Sequence, residues 1–431
     1  MELPEKFVEE TRRVMGDARF GRFMAALGEE PPVSIRLNPK KSRMLCVATA
    51  AEGSTAERVP WCCNGFYLQA RPAFTFDPLL HAGAYYVQEA ASMFVDHVLR
   101  QYVEGPVAML DLCAAPGGKS TCARSVLSDD SILVSNEPVK LRAQVLLENV
   151  QKWGYGGCMV TNSYPKDFRR SGARFDVVLC DVPCSGEGMF RKDAGAVAEW
   201  SWQHVEQCWR LQRDIVEEAW QCLNDGGLLI YSTCTMNTLE NEENVRWIAE
   251  QLGGELLPVD TEPQWGITGS LLQGFDAPVY RFIPGLTRGE GLFVAVVRKP
   301  GRLAKSDEKT RQRLHILVKS KLNTLYDGSP AATQKGKTIV PAHAEALLTD
   351  FDRSQYPQVE LDYSTAIAYL RSEAVVLPPG TPLGIVTVGF QGMPLGFAKN
   401  IGNRANNLYP KEWRIKTTHT PEEYETILRP A

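Results

Sequence analysis

A chain of 431 residues is too long for one ordinary core, so two or three domains are expected, and its 44% hydrophobic content is that of a globular protein. No run approaches the roughly 18 apolar residues of a membrane helix, and Met1 to Arg13 lacks the basic-then-apolar layout of a signal peptide, so a cytoplasmic location is expected. The net charge of -4 hides an asymmetry, because residues 301 to 431 hold 17 Lys+Arg against 13 Asp+Glu while the first 300 hold 30 against 38. The basic stretch 302 to 337 suits a polyanion partner and equally a solvated helix face.

Taken in order, residues 4 to 28 carry Phe20, Phe23, Met24 and Leu27 at helical spacing. Val33 to Pro39 reads as a short strand stopped by Asn-Pro, with Arg36 and Asn38 either facing a ligand or forming the polar face of an edge strand. Glu52 to Gln69 is turn-rich. After Tyr85-Tyr-Val-Gln-Glu-Ala-Ala-Ser and a following helix, strands and helices alternate. Strands are expected at Val107–Leu112, Ile132–Asn136, Cys158–Thr161, Phe175–Cys180, Gly227–Thr233, Val279–Ile283 and Leu292–Arg298. Helices are expected near 118–127, 139–152, 201–223 and 238–251. That alternation predicts an α/β, doubly wound parallel sheet with right-handed crossovers. Past Pro300 come a basic helix, Leu303 to Lys321, a Gly/Ser/Thr/Lys loop at 327–337 expected to be mobile, and a glycine-rich β unit. The division expected is 1–80, 81–300, 301–371 as a basic helical linker, and 372–431.

Chemistry concentrates at three strand ends. Phe175-Asp-Val-Val-Leu-Cys-Asp181 is an apolar run ending in a carboxylate, followed by Pro183-Cys184 and a glycine-rich loop. Ligands of open α/β sheets bind at such carboxyl ends. Asp111-Leu-Cys-Ala-Ala-Pro-Gly-Gly-Lys-Ser-Thr121 closes one strand and opens a helix, but it is not the G-x-G-x-x-G of a pyrophosphate site. Its small residues let a ligand approach the backbone, and Glu137 ends the next strand where a carboxylate binds ribose hydroxyls. A nucleoside without pyrophosphate fits best, and S-adenosylmethionine is the common one; a tight turn beside an exposed Glu is the plainer alternative. The third end is Ser232-Thr-Cys-Thr235. Eleven cysteines without a Cys-x-x-Cys pair, or a histidine at zinc spacing, argue against a disulfide framework and a metal site.

In order and spacing, Leu112-Cys-Ala-Ala-Pro-Gly-Gly-Lys, Asp181-Val-Pro-Cys-Ser-Gly and Ser232-Thr-Cys-Thr resemble the motifs of the Nop/Sun family of RNA 5-methylcytosine methyltransferases. Ser34-Ile-Arg-Leu-Asn-Pro and Asn407-Leu-Tyr-Pro-Lys-Glu-Trp-Arg-Ile resemble its bacterial RsmF-type branch, which methylates small-subunit ribosomal RNA. The resemblance implies a Rossmann-like class I methyltransferase sheet, a PUA-like C-terminal domain, S-adenosylmethionine as cofactor, and ribosomal RNA or the 30S subunit as partner. Apart from it, the cysteine spacing and the lack of a long apolar run lead to the expectation of no metal and no membrane, and a monomer is the guess. The resemblance assigns Cys234 as nucleophile and Cys184 as the thiol that helps release product. The chemistry alone leaves that order open. Cytosine C5 is a poor nucleophile, so a thiolate must first add at C6, and a base must later remove the C5 proton. Asp181 would bond the N3/N4 edge of the base.

Cofactor contacts are expected from Cys113, Ala114, Ala115, Pro116, Gly117, Gly118, Lys119, Glu137, Arg142 and Asp181. Where the family carries an acid after the third strand, this chain has Tyr164, which leaves Asn162 as the candidate substitute; Gly285 replaces a common basic residue or histidine. Asn237 with Glu240 resembles a capping pair. Glu148-Asn-Val and Glu243-Asn-Val read as helix surface. Arg191 and Lys192 are candidates for RNA phosphate or plain surface charges. From Gln391 to Lys416, Lys399, Arg404, Lys411, Arg414 and Lys416 interleave with Phe397, Tyr409 and Trp413, a pattern for RNA or for a small β core. The rival readings are a transfer-RNA cytosine methyltransferase and a non-catalytic RNA-binding assembly factor.

Overall fold

The computed structural model describes residues 3–48, 56–304, 306–335, 338–417, 419 and 424–430. The N-terminal apolar stripe folds as two helices, α1 (Glu5–Met15) and α2 (Asp17–Leu27), broken at Gly16, whose φ of 73° is open chiefly to glycine. Phe7, Phe20 and Phe23 on them pack with Phe190 and Trp200, so this helical pair braces the segment after Cys184. Strand β1 (Val33–Leu37) follows, then β2 (Leu45–Val47), β3 (Gly65–Leu68), the short helix α3 (Pro78–His81) and β4 (Tyr85–Val87); β1 pairs antiparallel with both β3 and β4. The opening of the turn-rich 52–69 stretch lies outside the described residues.

Helix α4 (Phe94–Tyr102) leads into the main sheet. Its parallel strands β5 (Ala108–Asp111), β6 (Ile132–Asn136), β7 (Cys158–Thr161), β8 (Phe175–Asp181) and β9 (Leu223–Thr233) alternate with α5 (Gly118–Val126), α6 (Lys140–Trp153), α7 (Pro165–Ser171), the short α8 (Ala194–Glu199) and α9 (Trp202–Cys222). Helix α10 (Glu242–Leu252) precedes β10 (Glu255–Leu256), β11 (Val279–Phe282) and β12 (Leu292–Arg298), which are added antiparallel beyond β9. The spatial order β9-β8-β5-β6-β7 places the reversal of direction between β8 and β5. Side chains alternate as a strand requires. Leu110, Val178 and Leu229 enter the core under α7, α9 and α10, while Met109, Val177 and Ile230 enter the core under α4 and α5.

The stretch expected as a linker is anchored. Helix α11 (Glu308–Lys321), capped by Asp307, buries Leu314 and Val318 in the main core, and β13 (Thr324–Tyr326) adds an edge strand beside β7. A hairpin, β14 (Thr333–Lys335) and β15 (Thr338–Val340), stands where a loop was expected, and residues 336–337 of that loop lie outside the described residues. After α12 (His343–Ala346), β16 (Gln358–Glu360) and α13 (Tyr363–Leu370), the sheet β16-β17-β18-β19 is built with β17 (Gly384–Phe390), β18 (Met393–Asn400) and β19 (Ala405–Asn407). Phe397 and Tyr409 are buried, so these two rings fill a core and are not free to stack on bases, while Trp413 is half-buried in apolar contacts. The N- and C-terminal units also share one core, with Ile35, Leu37 and Tyr85 packed among Val386, Val388 and Leu395, and β2 pairs with the final strand β20 (Leu428–Pro430).

Candidate active site

Register brings the three motifs together. Asp111 lies opposite Leu179, and Asp181 opposite Ser232, so β5, β8 and β9 end at one edge. The Asp181 carboxylate is held from two sides, accepting from Ser232 Oγ at 2.7 Å and from Lys119 Nζ at 2.8 Å. Burial alone would lower the Lys119 pKa; the Asp181 charge and hydrogen bond outweigh it and raise it, so the ammonium stays charged.

The thiols of Cys184 and Cys234 approach to 3.3 Å beyond these strand ends. The contact with Cys234, then burial, pushes the Cys184 thiol well above its ordinary range. The two loops are drawn together by a bond from Gly188 N to Cys234 O at 2.8 Å. A Cβ on Gly188 would sit 2.7 Å from Gly291 O and 2.8 Å from Cys234 O, so only glycine allows this approach. Beneath the thiols lies a buried polar cluster that the sequence did not reveal: Ser185, Glu187, Gln212, Thr235, Asn237 and Glu240. Asn237 Oδ1 accepts from Glu240 N at 2.9 Å, but α10 starts only at Glu242, so the expected cap is a turn ahead of the helix.

A cavity of about 200 Å³ opens beside Asp181, bordered by Asp111, Cys113, Ala114, Ala115, Pro116, Gly118 and Lys119. Gly117 turns away from it, since a Cβ there would meet the Leu146 side chain at 3.3 Å. Glu137, Arg142 and Asn162 are not among the residues that line the cavity. The buried Glu137 carboxylate accepts from Val139 N at 2.9 Å, with Arg142 Nη2 at 3.5 Å. Arg142 donates to Ala115 O at 3.1 Å, tying the small-residue cradle to this strand end. The Asn162 amide is committed to the carbonyls of Glu137 and Pro138 at 2.8 and 2.9 Å, and Tyr164 is exposed.

Sequence reading missed the opposite wall, Tyr86, Val87, Gln88, Glu89 and Ser92. The signal was a Gln-Glu pair set in an apolar stretch. Arg36, far from facing a ligand, is buried and donates to Gln88 Oε1 at 2.7 Å, and Asn38 is likewise buried, donating to the carbonyls of Gly83 and Trp153. A guanidinium only donates, which fixes the Gln88 oxygen toward Arg36 and the nitrogen away from it. Gln88 Nε2 and Asp111 Oδ1 are then buried without a hydrogen-bond partner among the described residues. Burial, reinforced by the Asp181 charge and opposed by Ser120, pushes the Asp111 carboxyl up to about 7. An unpaired donor and an unpaired carboxyl oxygen beside one cavity match the carboxylate and ammonium of an amino-acid head group, so the residues present fit S-adenosylmethionine. Arg191 is a correction of the opposite kind: it is buried in an ion pair with Glu290 at 2.8 Å and is not free to meet phosphate. Of the two Glu-Asn-Val triplets, that of α10 buries Asn244, so its asparagine is core and not surface. Among the described residues no cluster could hold a metal ion, and no helix is long and apolar enough to cross a membrane.

Comparisons with known proteins agree with this geometry. Residues 101–298 match the model of 16S rRNA methyltransferase RsmB/F, residues 3–90 that of the N-terminal domain of 16S rRNA methyltransferase RsmF, and residues 356–415 that of the methyltransferase RsmF PUA domain. The ribosomal RNA small subunit methyltransferase F of Escherichia coli O157:H7 is 30% identical over 470 residues, covering 95% of this chain and 96% of the relative. That of Serratia proteamaculans is 30% identical over 469 residues with the same coverage. Among solved structures, NSun6 from Pyrococcus horikoshii with SFG aligns with a TM-score of 0.58 at 21% identity, over 69% of this chain and 99% of that one. A methyltransferase homolog protein from the same organism aligns with a TM-score of 0.57 at 24% identity, over 69% and 95%. The chain therefore belongs to the ribosomal RNA small subunit methyltransferase F family of S-adenosylmethionine-dependent RNA methyltransferases.

Proposed function

We propose that this protein methylates C5 of a cytosine in 16S ribosomal RNA, through a covalent bond between Cys234 and C6 of the base. The observation that carries the reading is the pair of thiols at 3.3 Å beside Asp181 and the cofactor-sized cavity. Methylation at oxygen or an exocyclic nitrogen needs no such pair.

In this reading the target base is flipped out of its strand and enters over Asp181. Asp181, fixed by Ser232 and Lys119, accepts from N4 and from a protonated N3, which makes C6 more electrophilic. Cys234 gives up its proton, N3 takes one through solvent, the Cys234 thiolate bonds to C6, and the C5=C6 electrons move to C5. S-adenosylmethionine supplies the electrophilic methyl group that C5 takes. With Cys234 bonded to carbon, the contact that held the Cys184 thiol up is gone. Cys184 passes its proton to solvent and removes the C5 proton, the electrons of that bond re-form C5=C6 and expel Cys234 as a thiolate, and N3 returns its proton through solvent. The cradle Cys113 to Gly118 would hold the cofactor against its backbone, with Gln88 and Asp111 at the amino-acid end and Glu137 at the ribose. Lys119 and Arg142 brace Asp181 and the cradle, and Asn162 acts through Glu137 by holding its backbone. The site of action would be the cytoplasm, where ribosomal subunits are assembled.

The test is transfer of labelled methyl from S-adenosylmethionine to 30S subunits, deproteinised 16S RNA and bulk transfer RNA in parallel, followed by nucleoside analysis. Label in 5-methylcytosine of 30S subunits or 16S RNA is expected. Label in transfer RNA overturns the substrate, label in another nucleoside overturns the two-thiol chemistry, and no label favours a binding factor.

A further inference from the structure

Glu240 touches neither thiol, yet it is bonded to the loops of both. Its Oε2 accepts from Ser185 N at 3.0 Å and from Gln212 Nε2 at 2.7 Å; its Oε1 accepts from Ser185 Oγ and from Asn237 Nδ2 at 2.8 Å. Ser185 is the residue after Cys184. Asn237 Nδ2 also lies 3.0 Å from the hydroxyl of Thr235, the residue after Cys234, and that hydroxyl is 2.8 Å from Ser185 Oγ. Glu187 closes the set, accepting from Thr235 Oγ1, from the amides of Met236 and Asn237, and from Asn237 Nδ2.

Two buried carboxylates each carry a large desolvation cost before pairing. Burial, then the Glu187 charge, pushes Glu240 up to about 7, against the pull of Ser185 and Asn237. Packing this volume with apolar side chains would avoid that cost, but would remove these side-chain ties between the two loops. We propose that Glu240 is a positioning residue for the reaction: by bridging Ser185 to Asn237 it locks the Cys184 loop against the Cys234 loop and sets the spacing of the two thiols. The inference rests on the reading in which Cys234 attacks and Cys184 serves release. Attack needs Cys234 alone at C6, whereas release needs Cys184 within reach at the same moment. Loosening the tie therefore slows release more than attack.

The experiment compares full-length Glu240→Gln, Ser185→Ala and Cys184→Ala with the unaltered protein on 16S RNA and S-adenosylmethionine. It measures kcat, both KM values, melting temperature and the protein–RNA adduct that survives denaturant. For Glu240→Gln, kcat is expected to fall roughly 10- to 100-fold, the size of effect that a displacement of about 1 Å produces, with each KM held within about twofold. Methylated adduct accumulates in it, as in Cys184→Ala. Ser185→Ala removes only the hydroxyl tie, and gives a smaller fall with less adduct. An unchanged kcat, or a fall without adduct that tracks melting temperature and cofactor affinity, overturns the tie, because a purely structural residue lowers the folded fraction without trapping an intermediate. If Cys184→Ala itself traps nothing, the two-thiol reading fails and the tie with it. If Cys184→Ala traps adduct while Glu240→Gln does not, the tie alone fails.

Discussion

The two sides of the cleft treat buried polar atoms in opposite ways. On the cysteine side, each carboxylate oxygen of Glu187 and Glu240 accepts at least two donors from the surrounding loops. On the cradle side, Gln88 Nε2 and Asp111 Oδ1 are left without a partner among the described residues. A buried polar atom costs about 1–3 kcal/mol when unpaired, so the contrast separates a part that is complete in itself from one that, in the proposed reading, a ligand completes. In that reading the first holds the reacting groups in place and the second gains most on binding.

Substitutions can break that contrast at either side. The largest effect is expected for Cys234→Ala, in which methylation falls by at least about 10⁴-fold, as removal of a nucleophile does, while cofactor binding measured by calorimetry is retained. Cys184→Ala is expected to turn over slowly and to accumulate a protein–RNA adduct visible on a denaturing gel; rapid turnover without adduct would remove Cys184 from the release step. On the cradle side, Gln88→Glu keeps an acceptor for Arg36 but loses the donor. It should weaken S-adenosylmethionine binding roughly 10- to 100-fold, the worth of a hydrogen bond to a charged group, without lowering melting temperature. Unaltered affinity would show that this amide faces no ligand.

The smallest expected effect is in the pH dependence of stability. Asp111, with a folded-state pKa of about 7 against an ordinary 3.8, holds its proton more tightly in the folded chain. Its contribution is therefore fully present below the ordinary carboxylate range and is lost as pH rises through about 7. Asp111→Asn should flatten the fall in melting temperature across that window, and a slope identical to that of the unaltered protein would count against the shift. Bound S-adenosylmethionine should flatten it too, by pairing the same carboxyl.

Much of the central sheet was legible because strands buried on both faces read as apolar runs: Ile132–Asn136, Cys158–Thr161 and Leu292–Arg298 begin and end where the sequence places them. The motif residues at the strand ends could likewise be gathered at one edge, since strand order follows from alternation. What was not legible shares one physical cause, which is that a charge looks the same in sequence whether its partner is water or a distant side chain. Arg36 was open to a ligand or a polar strand edge, Arg191 to phosphate or solvent, and Glu240 to a helix cap, yet all three are buried by partners far away in the chain. Tyr409 and Phe397 show the converse, aromatic rings among lysines that turn inward, Phe397 against Phe351 and Tyr356, and Tyr409 against Tyr369.

The pairing of β2 with β20 has a consequence for synthesis. The partner of Leu45–Val47 is Leu428–Pro430, so the sheet begun near one end of the chain closes only with residues near the other. At about 5–20 residues per second a ribosome needs on the order of tens of seconds to span that interval. During it, Ile35 and Leu37 wait for Val386 and Leu395 to cover them, leaving the N-terminal unit as an exposed apolar surface on the nascent chain. The last-made strand thus acts as a latch on the first-made unit, and chaperone engagement of nascent chains stopped before residue 384 should exceed that of full-length chains.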